Sequence, residues 1–428
     1  MRPVRLLGAL TLVAAIVGGS VGLAPPAGAS NDPFFARQWG LSQIGAPQAW
    51  SRATGAGVTI GVVDTGVDVS HPDLAAKVTA TARCLGAPCR DGGGQDDNGH
   101  GTIVSGIAAA VTGNGRGIAG VAPDASLIVA KVLDAAGSGR VDDINAGIRW
   151  VVDRGAKVVN LSLGDPDFLL TSLLGTPLRP GLEYAWARGA IPVLAAGNYH
   201  LGVLDLGSAN YGQLNAVVVG ATDKSGGVPS YSSPIGNAKW GLVAPGGSGA
   251  GGADDNVIST DAGGGYVAAA GTSMAAPHVS GALAVLLSEG MSPTAAVQRL
   301  MSTLDSSVVC GTGCRGRLNL AAAVGAADQP SVAAQEAVPP STLTPDPLPS
   351  DVPRGAVTTP PSTDAGPVQL VQPLLPARAA RAARAAGTPG DQESRSPAVV
   401  VFAVVLLLAV GSGAGGVAWR RFTVGARW

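Results

Sequence analysis

Five apolar runs rich in β-branched residues constrain this chain more than anything else in it: VTIGVVD (58–64), SLIVAKVLD (126–134), AKVVNLSLG (156–164), AIPVLAAGN (190–198) and NAVVVGAT (215–222). None shows the sustained apolar–polar alternation of a strand with one wet face, so each predicts a strand buried on both faces. Helical patterns lie between them, DDINAGIRWVVDRG (142–155) and GLEYAWARGA (181–190). Such alternation predicts an α/β fold, a mostly parallel sheet covered by helices on both sides. Ligands of such sheets gather at the carboxyl ends of the strands. The polar residues that stop the runs are therefore the candidates for chemistry.

The two ends read differently. Arg2 and Arg5 precede LLGALTLVAAIVGGSVGLA, and AGA at 27–29 supplies small residues before Ser30, the layout of a secretory signal peptide over 1–29. AVVVFAVVLLLAVGSGAGGVAW at 398–419 carries no charge. About twenty such residues, at roughly 1.5 Å each, cross a hydrocarbon core as a transmembrane helix. Arg420, Arg421 and Arg427 follow it, which predicts a cytoplasmic tail over 420–428. Residues 329–397 hold VPPSTLTPDPLPSDVPRG, TTPPSTDAGP and QPLLPA, too rich in proline to build a core, and predict a disordered or extended linker. What remains, 30–328, is expected to be one extracytoplasmic domain tethered to the lipid bilayer by the C-terminal helix.

Cysteine usage agrees with export. Four cysteines form two close pairs, Cys84 with Cys89 and Cys310 with Cys314. Sequence alone allows three pairings, but in an oxidising compartment each local pair closes a small loop. No histidine lies near either pair, which argues for disulfides over zinc. A formal net charge of −1 removes any electrostatic reason to expect a nucleic-acid partner.

Asp64 ends the first run in VVDTGVD. An aspartic protease would need a second such carboxylate, and no second DTG or DSG occurs. The other role for a carboxylate at a strand end is to orient a histidine, and the chain has His71, His100, His200 and His278. His71 lies in a turn-like SHPDL, His200 heads a glycine-rich loop, and His278 follows Pro277 inside a helical pattern where packing or capping explains it. His100 sits between glycines in DDNGHGTIVSGIAAAV, where a helix start would fix the direction of its ring, although a lone HGT is equally a plain capped helix start. A serine hydroxyl is a poor nucleophile without a base to take its proton. Ser273 in GTSMAAPHVSGALAVLLSEG falls in the first turn of a predicted buried helix, close to free N–H groups and the positive end of the dipole. Pro277 is early enough there to be tolerated. A plain N-cap would explain Ser273 but neither Gly271 and Thr272 before it nor the small residues after it.

VVDTGVD, DDNGHGTIVSG and GTSMAAPHVSG resemble the three catalytic motifs of the subtilisin-like (S8) serine proteases, in that family's order of Asp, His and Ser. The likeness extends over about 39–325, through QWGLSQIGAPQAW, GVAPDASLIVAKVLD, VVNLSLG and VLAAGN. It implies a subtilisin-like three-layer α/β fold and a serine endopeptidase. Asp64 would hold the imidazolium of His100, which deprotonates Ser273. It also implies an oxyanion donor at Asn198. The edges Gly137, Ser138, Gly139 and Ser162, Leu163, Gly164 would grip an extended polypeptide substrate by backbone pairing. The chemistry needs no cofactor; structural calcium is common in the family, and Asp73 and Asn114 fall near one such site without enough matched ligands to define a metal.

Some features depart from that pattern. Only some twenty residues separate the predicted cleavage site from the domain, too few for the usual prosegment. Either such an enzyme matures without one, or NDPFFARQWG packs on the domain and does part of that job. The plan of signal, protease, proline-rich linker and membrane helix resembles mycosins, proteases of type VII secretion systems, so secretion-system components are a second class of partner. The alternative to an active enzyme is a silent scaffold binding extended peptides in such an assembly. The intact Asp64, His100, Ser273 and Asn198 set argues against it.

Overall fold

The computed structural model describes residues 30–86, 88–163, 176–198, 211–326 and the pair 368–369. Two short helices, α1 (Trp39–Gln43) and α2 (Ala46–Ala49), lead into β1 (Thr59–Asp64), β2 (Val78–Arg83), β3 (Arg90–Asp91) and α3 (His100–Ala109). Next come β4 (Ser126–Lys131), β5 (Ser138–Gly139), α4 (Val141–Asp153), β6 (Val158–Leu161), α5 (Arg179–Ala187) and β7 (Ile191–Ala195). Then follow β8 (Val217–Thr222), β9 (Trp240–Pro245), the hairpin β10 (Val257–Asp261) and β11 (Gly265–Ala269), α6 (Thr272–Ser288), α7 (Pro293–Ser302) and α8 (Leu320–Ala323). A two-residue strand β12 (Val368–Gln369) pairs antiparallel with β5.

Eight strands form one sheet in the order β3–β2–β4–β1–β6–β7–β8–β9, and every neighbouring pair is parallel except β2–β3. The strand order reverses at β1, flanked by β4 and β6, so the carboxyl end of β1 is the switch point where such sheets place ligands. Asp64 is the last residue of β1.

Successive strand residues point to opposite faces, and here both faces are apolar. Ile60, Val62, Leu127, Val129, Ile191 and Val193 face one core with Ile103 and Val104 of α3 and Met274 and Leu283 of α6. Val63, Ile128, Ala130, Val159, Leu161 and Leu194 face the other, with Ile144, Ile148 and Val151 of α4 and Leu182 of α5. This is the predicted mostly parallel sheet between helical layers. All ten residues of α3 are buried, as are Thr272 to Leu286 of α6, which explains their small, weakly amphipathic composition.

The five predicted strands and both intermediate helices form, with ends shifted by a few residues. Sequence reading missed β2, β9, the β10–β11 hairpin and α7. VTATAR of β2 has short polar side chains and mixed exposure, so its apolar signal is weak. The segment 30–43 does pack on the domain. Phe34 is buried against Ile118 and Ile258, Gln38 exchanges hydrogen bonds with both backbone groups of Ala119, and the Trp39 indole N–H donates to Asn256 O at 3.0 Å.

Cys84 bonds Cys89 and Cys310 bonds Cys314, so the local pairing holds. Among the described residues no helix is long and apolar enough to cross a membrane. The segments that carry the signal-peptide, linker and membrane-helix expectations, 1–29 and 329–428 apart from 368–369, lie outside the described residues.

Candidate active site

Asp64 and His100 are fully buried, and Asp64 Oδ1 lies 2.7 Å from His100 Nδ1. A carboxylate oxygen accepts here, so Nδ1 is the donor of this bond. Asp64 Oδ1 also accepts the Thr65 N–H at 2.7 Å, while His100 Nε2 makes no hydrogen bond with any described residue.

The start of α3 is built to aim that ring. Asp96 Oδ1 accepts the N–H groups of Asn98 and Gly99, and its Oδ2 accepts both the N–H and the hydroxyl of Thr102. A carboxylate there satisfies otherwise orphaned helix-start donors and favours the dipole. Gly101 presses on the turn after β1, its N–H donating to Thr65 Oγ1, and a Cβ on it would stand 2.0 Å from Gly66 O. That contact is why HGT needs its glycine. Lys131, 1 % exposed, ties the same turn: its Nζ donates to Thr65 O at 2.7 Å, Leu133 O at 2.9 Å and Asp97 Oδ1 at 2.6 Å. Asp96 and Lys131 escaped the sequence reading. Their traces were a doubled aspartate before NGHG and a lone lysine in an apolar strand.

Ser273 is the second residue of α6 and fully buried. Its hydroxyl donates to Ser162 O at 3.3 Å, and Ser162 Oγ donates to Ser273 O at 2.9 Å. Pro277 explains the second bond. In a helix the Ser273 carbonyl would accept from the N–H four residues on, which proline lacks. Gly271, at φ +151°, lets the chain enter α6 close beside Asn198; a Cβ there would lie 2.9 Å from Asn198 Nδ2. Asn198 Oδ1 accepts the Thr272 N–H at 2.8 Å and hydroxyl at 2.9 Å, which sets the orientation of its amide.

The structure thus joins Asp64 to His100, Ser273 to Ser162, and Asn198 to the start of α6. Leu163 is buried beyond Ser162, while Gly164 lies outside the described residues. Gly137 (φ +76°) turns the chain into β5, where Ser138 and Gly139 form a backbone edge. His71 is a structural residue, bonded to Gly265 O and the Asp73 N–H. His278 donates from Nδ1 to Met274 O, and burial pushes its imidazole down to about 4, so it packs as a neutral ring. His200 lies outside the described residues.

Asp73 and Asn114 are adjacent. Asp73 accepts from Asn114 Nδ2, the Ile118 N–H and the Tyr266 hydroxyl, and Asp32 accepts the N–H groups of Gly113, Asn114 and Gly115. No group of three or more His, Cys, Asp or Glu able to hold a metal occurs among the described residues.

The model of the subtilase family, peptidase S8, matches residues 55–329. The chain is 39% identical over 300 residues to thermitase of Thermoactinomyces vulgaris, covering 69% of this chain and 98% of that one. It is 41% identical over 249 residues to subtilisin Savinase of Lederbergia lenta, covering 58% and 83%. A solved protease structure from Pseudoalteromonas arctica superposes with a TM-score of 0.59 at 29% identity, over 70% of this chain and 99% of that one.

Proposed function

The chain belongs to the subtilase family and is a subtilisin-type serine protease, and from that premise we propose that Ser273, His100 and Asp64 are its catalytic triad, with Asn198 as oxyanion donor. The observation that carries this is the buried 2.7 Å Asp64–His100 contact at the switch point of the sheet. Asp64 holds the imidazole so that Nε2 takes the Ser273 proton as Oγ attacks a peptide carbonyl. The Asn198 amide N–H stabilises the tetrahedral oxyanion. Protonated His100 then gives its proton to the leaving amine, and water, activated by the same imidazole, releases the acyl group from Ser273.

The substrate is an extended polypeptide, paired along Gly137–Gly139 and Ser162–Gly164. The antiparallel pairing of β12 on β5 supports this, an extended strand lying along the Ser138–Gly139 edge. A fluorophosphonate probe tests the assignment. Mass spectrometry of the labelled protein should place one adduct on Ser273, and an adduct elsewhere or none at all would remove it.

The enzyme is further proposed to face the cell envelope, held by 398–419 with its tail inside. The signal-like N-terminus, the uncharged apolar segment and the arginines after it support that reading. Protease added to intact spheroplasts should cut within 329–397, release an active fragment and spare an epitope placed after Trp428. Digestion of that epitope with the catalytic domain protected would reverse the orientation.

A further inference from the structure

Behind the nucleophile runs a closed chain of buried hydrogen bonds that no catalytic role accounts for. Ser280 Oγ donates to Asn160 Oδ1 at 2.8 Å, Asn160 Nδ2 donates to Ser162 Oγ at 3.0 Å, and Ser162 Oγ donates to Ser273 O at 2.9 Å. Asn160, Ser162, Ser273 and Ser280 are all 0% exposed. The chain leaves α6 at Ser280, crosses to β6 at Asn160, and returns to α6 at Ser273.

Its direction is set by proton count. A hydroxyl has one hydrogen, and an amide has an acceptor end and a donor end. While Ser280 gives its hydrogen to Asn160, the acceptor end of that amide faces α6 and the donor end must face Ser162. Ser162 then receives a hydrogen from Asn160 and has its own free for Ser273 O. Without the Ser280 hydroxyl, nothing holds the acceptor end of Asn160 toward α6. The amide can turn over, and Ser162 donates to Asn160 instead. Ser273 O would then be a buried acceptor with no donor, because Pro277 has no N–H to supply one. Ser280 has an alternative acceptor in Ala276 O at 3.2 Å, so the chain depends on its choice of the shorter bond to Asn160.

We infer that Ser280 and Asn160 are positioning residues: through Ser162 they fix the main chain of Ser273 relative to the end of β6, where the substrate edge begins. This rests on Ser273 being the nucleophile. A misplacement of about 1 Å at a reacting group costs about 100-fold in rate. A shift of a few tenths of an ångström therefore predicts a kcat about 3- to 10-fold lower for Ser280→Ala, with KM within about twofold. Asn160→Asp should lose more, about 10- to 100-fold, because a carboxylate accepts from both hydroxyls and takes the Ser162 hydrogen away from Ser273 outright.

The experiment measures kcat and KM on a peptide substrate, the fluorophosphonate labelling rate of Ser273, and Tm, for the parent chain and both variants. Slower kcat and labelling at little-changed KM supports the positioning role. A lower Tm with kcat and labelling at parental values makes the chain merely structural and overturns it. If Asn160→Asp fails to fold, Ser280→Ala decides alone, since it removes one hydroxyl and introduces no charge. A parent chain that does not label at Ser273 sinks the proteolytic assignment itself, an outcome distinct from a labelled parent with equally fast variants.

Discussion

Ser273→Ala and His100→Ala are each expected to lower kcat on unstructured protein by on the order of 10⁶, the size of loss known for a subtilisin triad. The geometry explains so large a number. Ser273 Oγ is the atom proposed to form the acyl bond, and the nitrogen proposed to take its proton, His100 Nε2, has no competing hydrogen bond among the described residues. Asp64→Asn should cost less, on the order of 10⁴, by favouring the wrong imidazole tautomer while keeping the shape. The Ser273→Ala/His100→Ala double variant should be no slower than either single one, because the groups act as a unit. Casein hydrolysis measured on purified variants checks all four. Undiminished cleavage by Ser273→Ala would return the chain to the class of peptide-binding scaffolds.

The next largest effect is expected at Asn198. Removing a side-chain oxyanion donor lowers kcat by on the order of 10²–10³. Asn198→Ala confounds two roles, however, since Asn198 Oδ1 also accepts from the N–H and hydroxyl of Thr272. Asn198→Asp separates them, because a carboxylate still accepts from Thr272 but has no N–H to offer the oxyanion. Both variants should fall by the same order in kcat, with KM little changed. If Asn198→Asp kept parental kcat while Asn198→Ala lost it, Asn198 would serve to hold the start of α6, and the oxyanion donor would lie elsewhere.

Much of the site could be read from the sequence because its members sit where local pattern is strongest. Asp64 ends an apolar run, His100 and Ser273 open small-residue helices, and each is flanked by glycines at tight approaches. Gly101 could be read as part of HGT, but the 2.0 Å gap to Gly66 O that demands it could not. Asp96, Lys131, Asn160 and Ser280 were not legible as site residues. Each acts through a partner from 2 to 120 residues away, and nothing in the local sequence marks that partner.

By itself the sequence determined the layered α/β architecture and, through motifs that resemble those of the subtilisin-like proteases, the identity of the candidate triad. Both rest on short stretches: runs of β-branched residues for the architecture, and VVDTGVD, DDNGHGTIVSG and GTSMAAPHVSG for the triad. The tertiary structure alone decided the strand order, and with it the placing of Asp64 at the reversal point beside His100, 36 residues away. It also decided that Asp73 and Asn114, 41 residues apart, meet through a hydrogen bond. Strand order and side-chain pairing depend on which elements pack together, a property of the whole buried core that no single stretch of sequence contains.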